Sequence, residues 1–505
     1  MYSKNSRGYN EEDVPEMKRF RANLSDAFLS GQITAARTAS LFKDAQSSGA
    51  SGVDDLAAAQ DKNAARSLRR KMLKGSHWPD CYYADIELHD PKLQENRQVS
   101  LPFLLPHEIL GKLFEFGDSA WILSQDVLQE DAELIEKFSL SCQPARDPAT
   151  ILPLGLWNDG VPCNWDRSQS LEVIALSFPS IPGLRVPLFC LKKMFEAKKC
   201  TMDAAMKVLV WSFEQLALGR YPSRRHDGSP FDLRVDKARL RLAGSDLPGR
   251  LENFKDTLSL PAHNENNGCC WICPMTPDKV HEVDLQASWR HQYFDQETFI
   301  MRCWEEHRFM SAVWQFPNFC LKVIRLDWLH IMDLGCAADA AGNVLYHLQS
   351  KMPASNITKR TGELYKEISQ EYKNQGVASD RLATLTETMY RKEAGKAPKL
   401  KAKGAETRKL IPILDAVCRK FLDSSGDLDS VVLACISLVL ACYAALDVEP
   451  YDPSLMEREV RRFALQYVSL RDHFGDNIAW RVKPKLHLLL HLSQSPTCPK
   501  DIWCF

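Results

Sequence analysis

Apolar and polar positions alternate in short runs between residues 150 and 245, then recur at helical spacing beyond residue 285. The run 151–158 predicts a strand that ends at Asp159-Gly160, and 170–178 and 185–191 predict two more. Turn signals at 162–166 and 179–183 make these three consecutive antiparallel hairpin strands. A helix follows over 202–218, where Ala205, Val208, Leu209, Phe213, Leu216 and Ala217 share one face and Gly219 ends the pattern. The alternation at 239–243 predicts a fourth strand that delivers Asp246, before Leu247-Pro248-Gly249. From 285 to about 445 the pattern is helical almost throughout.

Three hairpin strands, a helix and a returning strand are the order of a ribonuclease-H-like core. The predicted fold is therefore α/β: a mixed sheet flanked by helices, with a large helical insertion and a mostly helical N-terminal region. The pattern divides the chain into a polar, partly disordered segment 1–60, a helical and mixed region 61–148, and the first part of the core at 149–260. A CxxC segment and helical insertion follow at 261–400, then a third-acid helix and C-terminal helices at 401–505. Short helices are expected at 106–116 and 131–138, and short strands and loops between Trp78 and Leu101. The uncharged run 430–446 is shorter than the roughly 20 residues of a bilayer span. It is bounded by Asp429 and Asp447 and predicts a buried core helix.

Composition adds limits. At 505 residues the chain exceeds one compact core, and 45% hydrophobic with 26% charged residues is ordinary for a globular protein. A net charge of −1 means that any nucleic-acid binding must come from local basic patches. The first seven residues lack the apolar stretch of a secretory signal. Sixteen cysteines without a tight framework point to reduced thiols, in the nucleus or cytoplasm, and not to a secreted or membrane protein.

Candidate chemistry centres on three acids at places where the chain turns: Asp159, Asp246 and Glu406. Two carboxylates on strand ends and one opening a helix at 405–422 can hold two Mg²⁺ or Mn²⁺ ions for phosphoryl transfer on nucleic acid. Asp327 and His330 lie three residues apart. The histidine either orients a metal-bound carboxylate or touches a scissile phosphate, or the pair is a hydrogen bond holding a core turn. Cys270 and Cys273 form one CxxC, which supplies half of a zinc site or is a buried thiol pair. His281, His291, Cys303 and His307 are the nearby residues able to complete it. His487 and His491 stand four apart on one helical face, but no Glu follows His487 as the hydrolytic zinc motif requires, and the spacing favours buried hydrogen-bonded histidines. Arg391, Lys392, Lys396, Lys399, Lys401 and Lys403, then Arg408 and Lys409, make a basic loop before and beside Glu406 that suits phosphates or is a solvated surface.

Taken in order, these motifs resemble the catalytic region of cut-and-paste DNA transposases of the CACTA (En/Spm) type, with the Kyakuja–Dileera–Zisupton group related. The resemblance rests on Asn158-Asp159-Gly160, Asp246-Leu247-Pro248, Cys270 and Cys273, Asp327 with His330, and Ala405-Glu406-Thr407-Arg408. The stretch 484–492 matches the histidine-bearing segment that follows the core in such proteins, and the chain stops inside a region that the family continues. The resemblance covers 150–505 and implies a transposon-derived protein. Asp159, Asp246 and Glu406 would hold two Mg²⁺ or Mn²⁺ ions with His330 beside them, Cys270 and Cys273 would help to bind a structural zinc, and DNA would meet Arg391, Lys392, Lys399, Lys401, Lys403 and Arg408. A homo-oligomer is compatible with this reading. Its alternatives are a domesticated or decayed element acting as a DNA- or protein-binding scaffold, and a helical interaction protein whose acids never converge.

Overall fold

Strand β3 (Leu154–Pro162) forms the centre of a five-stranded sheet in the computed structural model of this protein. The structure describes residues 16–499 apart from internal segments, of which 69–77, 117–131 and 259–269 are the longest. It falls into two units, Met1–Asp80 and Cys81–Phe505.

The first unit holds α1 (Glu16–Leu29), α2 (Ala35–Ser47) and α3 (Asp54–Ala57) around a small core of Phe28, Ala39, Phe42, Val53 and Leu56. Thr34 caps α2 by accepting the Arg37 N–H, which satisfies one of the donors that a helix start leaves unpaired.

The second unit begins with the hairpin β1 (Tyr82–Asp90) and β2 (Glu95–Phe103), then α4 (Pro106–Phe116), which matches the helix expected at 106–116. The sheet follows: β3, β4 (Ser170–Ser177) and β5 (Arg185–Lys192) are successive antiparallel neighbours. Helices α5 (Thr201–Leu218) and α6 (Lys237–Leu242) come next, then β6 (Lys255–Leu258) and, after α7 (Gln296–His307), β7 (Ile324–Arg325). β6 runs parallel to β3, and β7 parallel to β6, giving the spatial order β5-β4-β3-β6-β7. The fold is mixed α/β, as expected.

One expected strand is corrected. Residues 239–243 belong to helix α6 and the loop after it, and β6 takes the place beside β3. The local sequence Lys-Ala-Arg-Leu-Arg-Leu lacks β-branched residues and consists of helix formers, so its two-residue alternation carries little strand preference. The helical turn also brings Arg239 to Glu108 at 2.7 Å and to Asp236 at 3.5 Å, both carboxylates being buried or nearly so.

Alternation gives the sheet two faces. Leu154, Leu156, Ile174, Leu176, Val186 and Leu188 enter the main core, where each buried aliphatic side chain contributes roughly 1.5–3 kcal/mol. On the other face Trp157, Val173 and Ala175 pack with Leu329. Asp159 pairs directly with Val173 across β3 and β4, so its carboxylate lies on this second face.

The second face meets a helical half. A π-helix (Leu329–Cys336) continues into α8 (Ala337–Lys351), followed by α9 (Ile357–Asn374), α10 (Glu387–Tyr390), α11 (Gly404–Phe421), α12 (Asp427–Leu446), α13 (Pro453–Phe474) and α14 (Pro484–Leu492). Helix α12 contains the apolar run noted in the sequence. Among the described residues it is the one helix long and apolar enough to cross a bilayer, and it packs against α8, α11 and α13. Two glycines allow close approach here. A side chain at Gly342 would collide with the backbone of Lys399 and Leu400, at 2.5 and 2.6 Å, and one at Gly404 would strike Leu329.

Candidate functional site

Four buried residues far apart in sequence converge in the second unit: Cys270, Cys273, His487 and His491. The CxxC sits on a tight turn in which the Ile272 N–H donates to Cys270 Sγ at 3.3 Å. Phe294 N–H donates to Ile272 O at 2.9 Å, tying this turn to the segment that carries Trp289. The histidines occupy one face of α14, as their four-residue spacing dictates. Pro484 at the first turn presets that helix, whose nine residues are too few to be stable alone.

The ligand atoms lie within 4.8 Å of one another. Cys273 Sγ is 3.2 Å from His487 Nε2 and 3.4 Å from His491 Nε2, and the two Nε2 atoms are 3.1 Å apart. A tetrahedral ion with metal–nitrogen bonds near 2.0–2.1 Å and metal–sulfur bonds near 2.3 Å would set such edges at about 3.3–3.8 Å. The spacing fits with small adjustments. Trp289 stands edge-on to both imidazoles, at 4.6 and 4.8 Å between ring centres, and its indole N–H donates to Glu282 O. Burial opposes the Cys270 thiolate, yet the hydrogen bonds from Cys273, His487 and His491 outweigh it and bring that thiol well below its usual range. Burial likewise lowers the His487 pKa, keeping the imidazole neutral as ligation requires. This buried Cys₂His₂ cluster could hold a metal such as zinc.

The expected CxxC is therefore found, but its partners differ from those near it in sequence. His487 and His491 complete the group instead of His281 and His291, while the side chains of Cys303 and His307 lie outside the described residues. Their four-residue spacing was legible. What hid their role is a separation of 214 and 218 residues from Cys273.

A second constellation lies on the sheet. Asp327, 2% exposed, accepts the His330 backbone N–H at 2.7 Å and so braces the turn that leads into the π-helix. The same carboxylate holds His330 Nδ1 at 3.0 Å. His330 Nε2 faces Asp159 Oδ2 at 3.6 Å, and Asp159 Oδ1 accepts the Gly160 N–H at 2.7 Å. Burial works against the imidazolium, but the two carboxylates prevail and raise the His330 pKa to about 9. The ring is thus charged at neutral pH between two acids. The Asp327–His330 pair braces a turn, as the hydrogen-bond reading of its spacing has it, and the histidine also points at Asp159.

The other two acids expected with Asp159 sit in a loop and on the first turn of a helix. Asp246 bridges Arg220 through the backbone, next to the left-handed Gly219 that ends α5. It stands in a loop and not on a strand end. Glu406 accepts the Lys403 N–H at 2.8 Å, on the first turn of α11. Gly404 on that turn abuts Leu329 and Asp333, and two residues later the helix has turned by about 200°, so Glu406 faces away from that contact. Its charge bears instead on Tyr372 of α9.

The basic segment is also divided. Arg408 pairs with buried Asp333 at 2.7 Å, and Tyr443 donates to the same carboxylate at 2.6 Å. Lys399 donates to Leu334 O at 2.9 Å, and Arg391 lies over the Tyr346 ring at 4.4 Å. Lys401 and Lys403 are exposed, whereas Lys392 lies outside the described residues. Compared with known proteins, the chain matches no family model and no curated protein.

Proposed function

We propose that this is a transposon-derived protein built on a ribonuclease-H-like core, and that it acts as a DNA-binding scaffold, not as a nuclease using Asp159, Asp246 and Glu406. Support for the core comes from the strand order around β3, with one neighbour antiparallel and the other parallel. A single observation carries the non-catalytic reading: the Asp159 carboxylate faces the charged His330 ring, a competitor for any divalent ion. On this reading His330 neutralises Asp159, and no two-ion Mg²⁺ or Mn²⁺ step is assigned to the three acids.

Exposed Lys401, Lys403 and Lys409 border α11 and offer a surface for phosphates. Binding of a DNA duplex should weaken steeply with salt, and replacing Lys401 and Lys403 with Ala should lower the salt slope by about one for each phosphate no longer neutralised. Nicking of DNA in Mg²⁺ or Mn²⁺ should be absent. Nicking by the wild-type chain that Asp159→Asn abolishes would overturn this reading in favour of the catalytic one, which the central-strand position of Asp159 beside His330 and Asp327 favours.

A further inference from the structure

We propose that Cys270, Cys273, His487 and His491 bind one zinc ion in a closed site, which clasps the Cys270–Cys273 turn to α14 and thereby fixes Lys485 against the π-helix. The inference is independent of the function proposed for the sheet.

The donor set selects the metal. Two thiolates and two imidazoles are soft and borderline ligands that suit zinc, whereas Mg²⁺ and Ca²⁺ take oxygen. A two-iron cluster with the same four residues would place both thiolates on one iron and both imidazoles on the other. Here one sulfur lies 3.2 and 3.4 Å from the two nitrogens, so the four donors surround a single point. The site is also closed. Cys273 and His487 are 0% exposed, and Trp289 covers both rings. Four protein donors leave no position for water or substrate, which marks a structural ion and not a catalytic one.

The clasp has a specific reach. Helix α14 begins with Pro484 and Lys485, two residues before His487. Lys485 Nζ donates to His330 O at 2.7 Å, and its aliphatic stem lies where a Gly335 side chain would be. The same short helix thus carries two metal ligands and a brace for the residues that hold His330. Without the ion, α14 keeps its apolar contacts but loses the cross-link to the CxxC turn.

Metal analysis of the full chain, purified without chelator, should find about one zinc per chain. Cobalt exchanged into the site should show tetrahedral bands and thiolate-to-metal charge transfer. Cys273→Ser should weaken zinc binding by about tenfold or more. If that variant fails to fold, His491→Cys keeps four donors and should retain the metal with stronger charge transfer. Chelation should raise hydrogen exchange in residues 270–275, 484–492 and 329–336 together. Zinc far below one per chain, a cobalt spectrum without thiolate bands, or a Cys270–Cys273 disulfide would overturn the site. Exchange that rises at 270–275 and 484–492 but not at 329–336 would overturn the clasp.

Discussion

The cluster of Cys270, Cys273, His487 and His491 is sealed behind Trp289, whereas Asp159 and His330 keep 31% and 26% of their side-chain surface in contact with solvent. Both groups place histidine against potential ligands, and they treat its proton oppositely. Burial lowers the His487 pKa, while the carboxylates of Asp327 and Asp159 overcome burial at His330 and raise it to about 9. Neutral imidazole beside the lowered Cys270 thiol is ready for a metal; imidazolium between carboxylates is already neutralised. The same residue type thus marks a metal site in one place and an internal ion pair in the other. What decides is the charge of its neighbours, not the spacing of histidines.

The sharpest test of this contrast is Trp289→Ala. It removes the aromatic wall over both metal-facing imidazoles and should cost about 3–5 kcal/mol, the range for emptying a buried aromatic site. Zinc content should survive, because every donor remains. Denaturant unfolding with parallel metal analysis would check both. A variant that loses its metal would mean that Trp289 orients the ligands and does more than fill space.

A smaller effect separates the sheet site. Because the His330 pKa is raised, its pairing with Asp327 and Asp159 stabilises the fold fully below the ordinary histidine value of 6.5 and fades as pH climbs through about 9. The wild type should therefore exceed His330→Gln in stability by about 1–3 kcal/mol at pH 6, with the gap shrinking by pH 10. Urea melts of both proteins across that range measure it. A gap that stays constant would show that the raised His330 pKa does not contribute to stability in this range. The other charges facing this ring, Asp159 and Asp327, are common to both proteins and cancel in the difference.

Much of the architecture was legible. The three hairpin strands, of which the first runs past its expected end at Asp159 to Pro162, the helix from Thr201 to Leu218 and the buried helix at Asp427–Leu446 all follow from periodicity over windows long enough to distinguish a two-residue repeat from a helical one. Residues 239–243 failed because five residues cannot make that distinction, and a tertiary ion pair to Glu108 with a local one to Asp236 favoured the helix. The metal cluster was half legible. Cys270 and Cys273 announce themselves locally, but their partners come from the far end of the chain, and only the fold brings His487 and His491 to them. Asp246 and Glu406 are ambiguous in sequence for a related reason. An acid at a turn is equally suited to a metal or to a backbone cap, as Glu406 shows by accepting the Lys403 N–H.

Asp159→Asn gives the smallest effect, and its sign is informative. In a crowd of carboxylates awaiting metal, neutralising one relieves repulsion and stabilises the protein. Here Asp159 faces an imidazolium at 3.6 Å, so the substitution removes an attraction. Partial exposure of both groups limits the loss to about 0.2–1 kcal/mol at pH 7. The Gly160 N–H retains its acceptor, because asparagine keeps the oxygen that receives it at 2.7 Å. At pH 10, where His330 is largely neutral, the difference should disappear. Millimolar Mg²⁺ should change neither melting curve. Should Asp159→Asn instead prove more stable than wild type, and Mg²⁺ stabilise wild type alone, the acids must gather around Asp159 in solution. The contrast between a metal-ready cluster and a self-neutralised pair would then collapse.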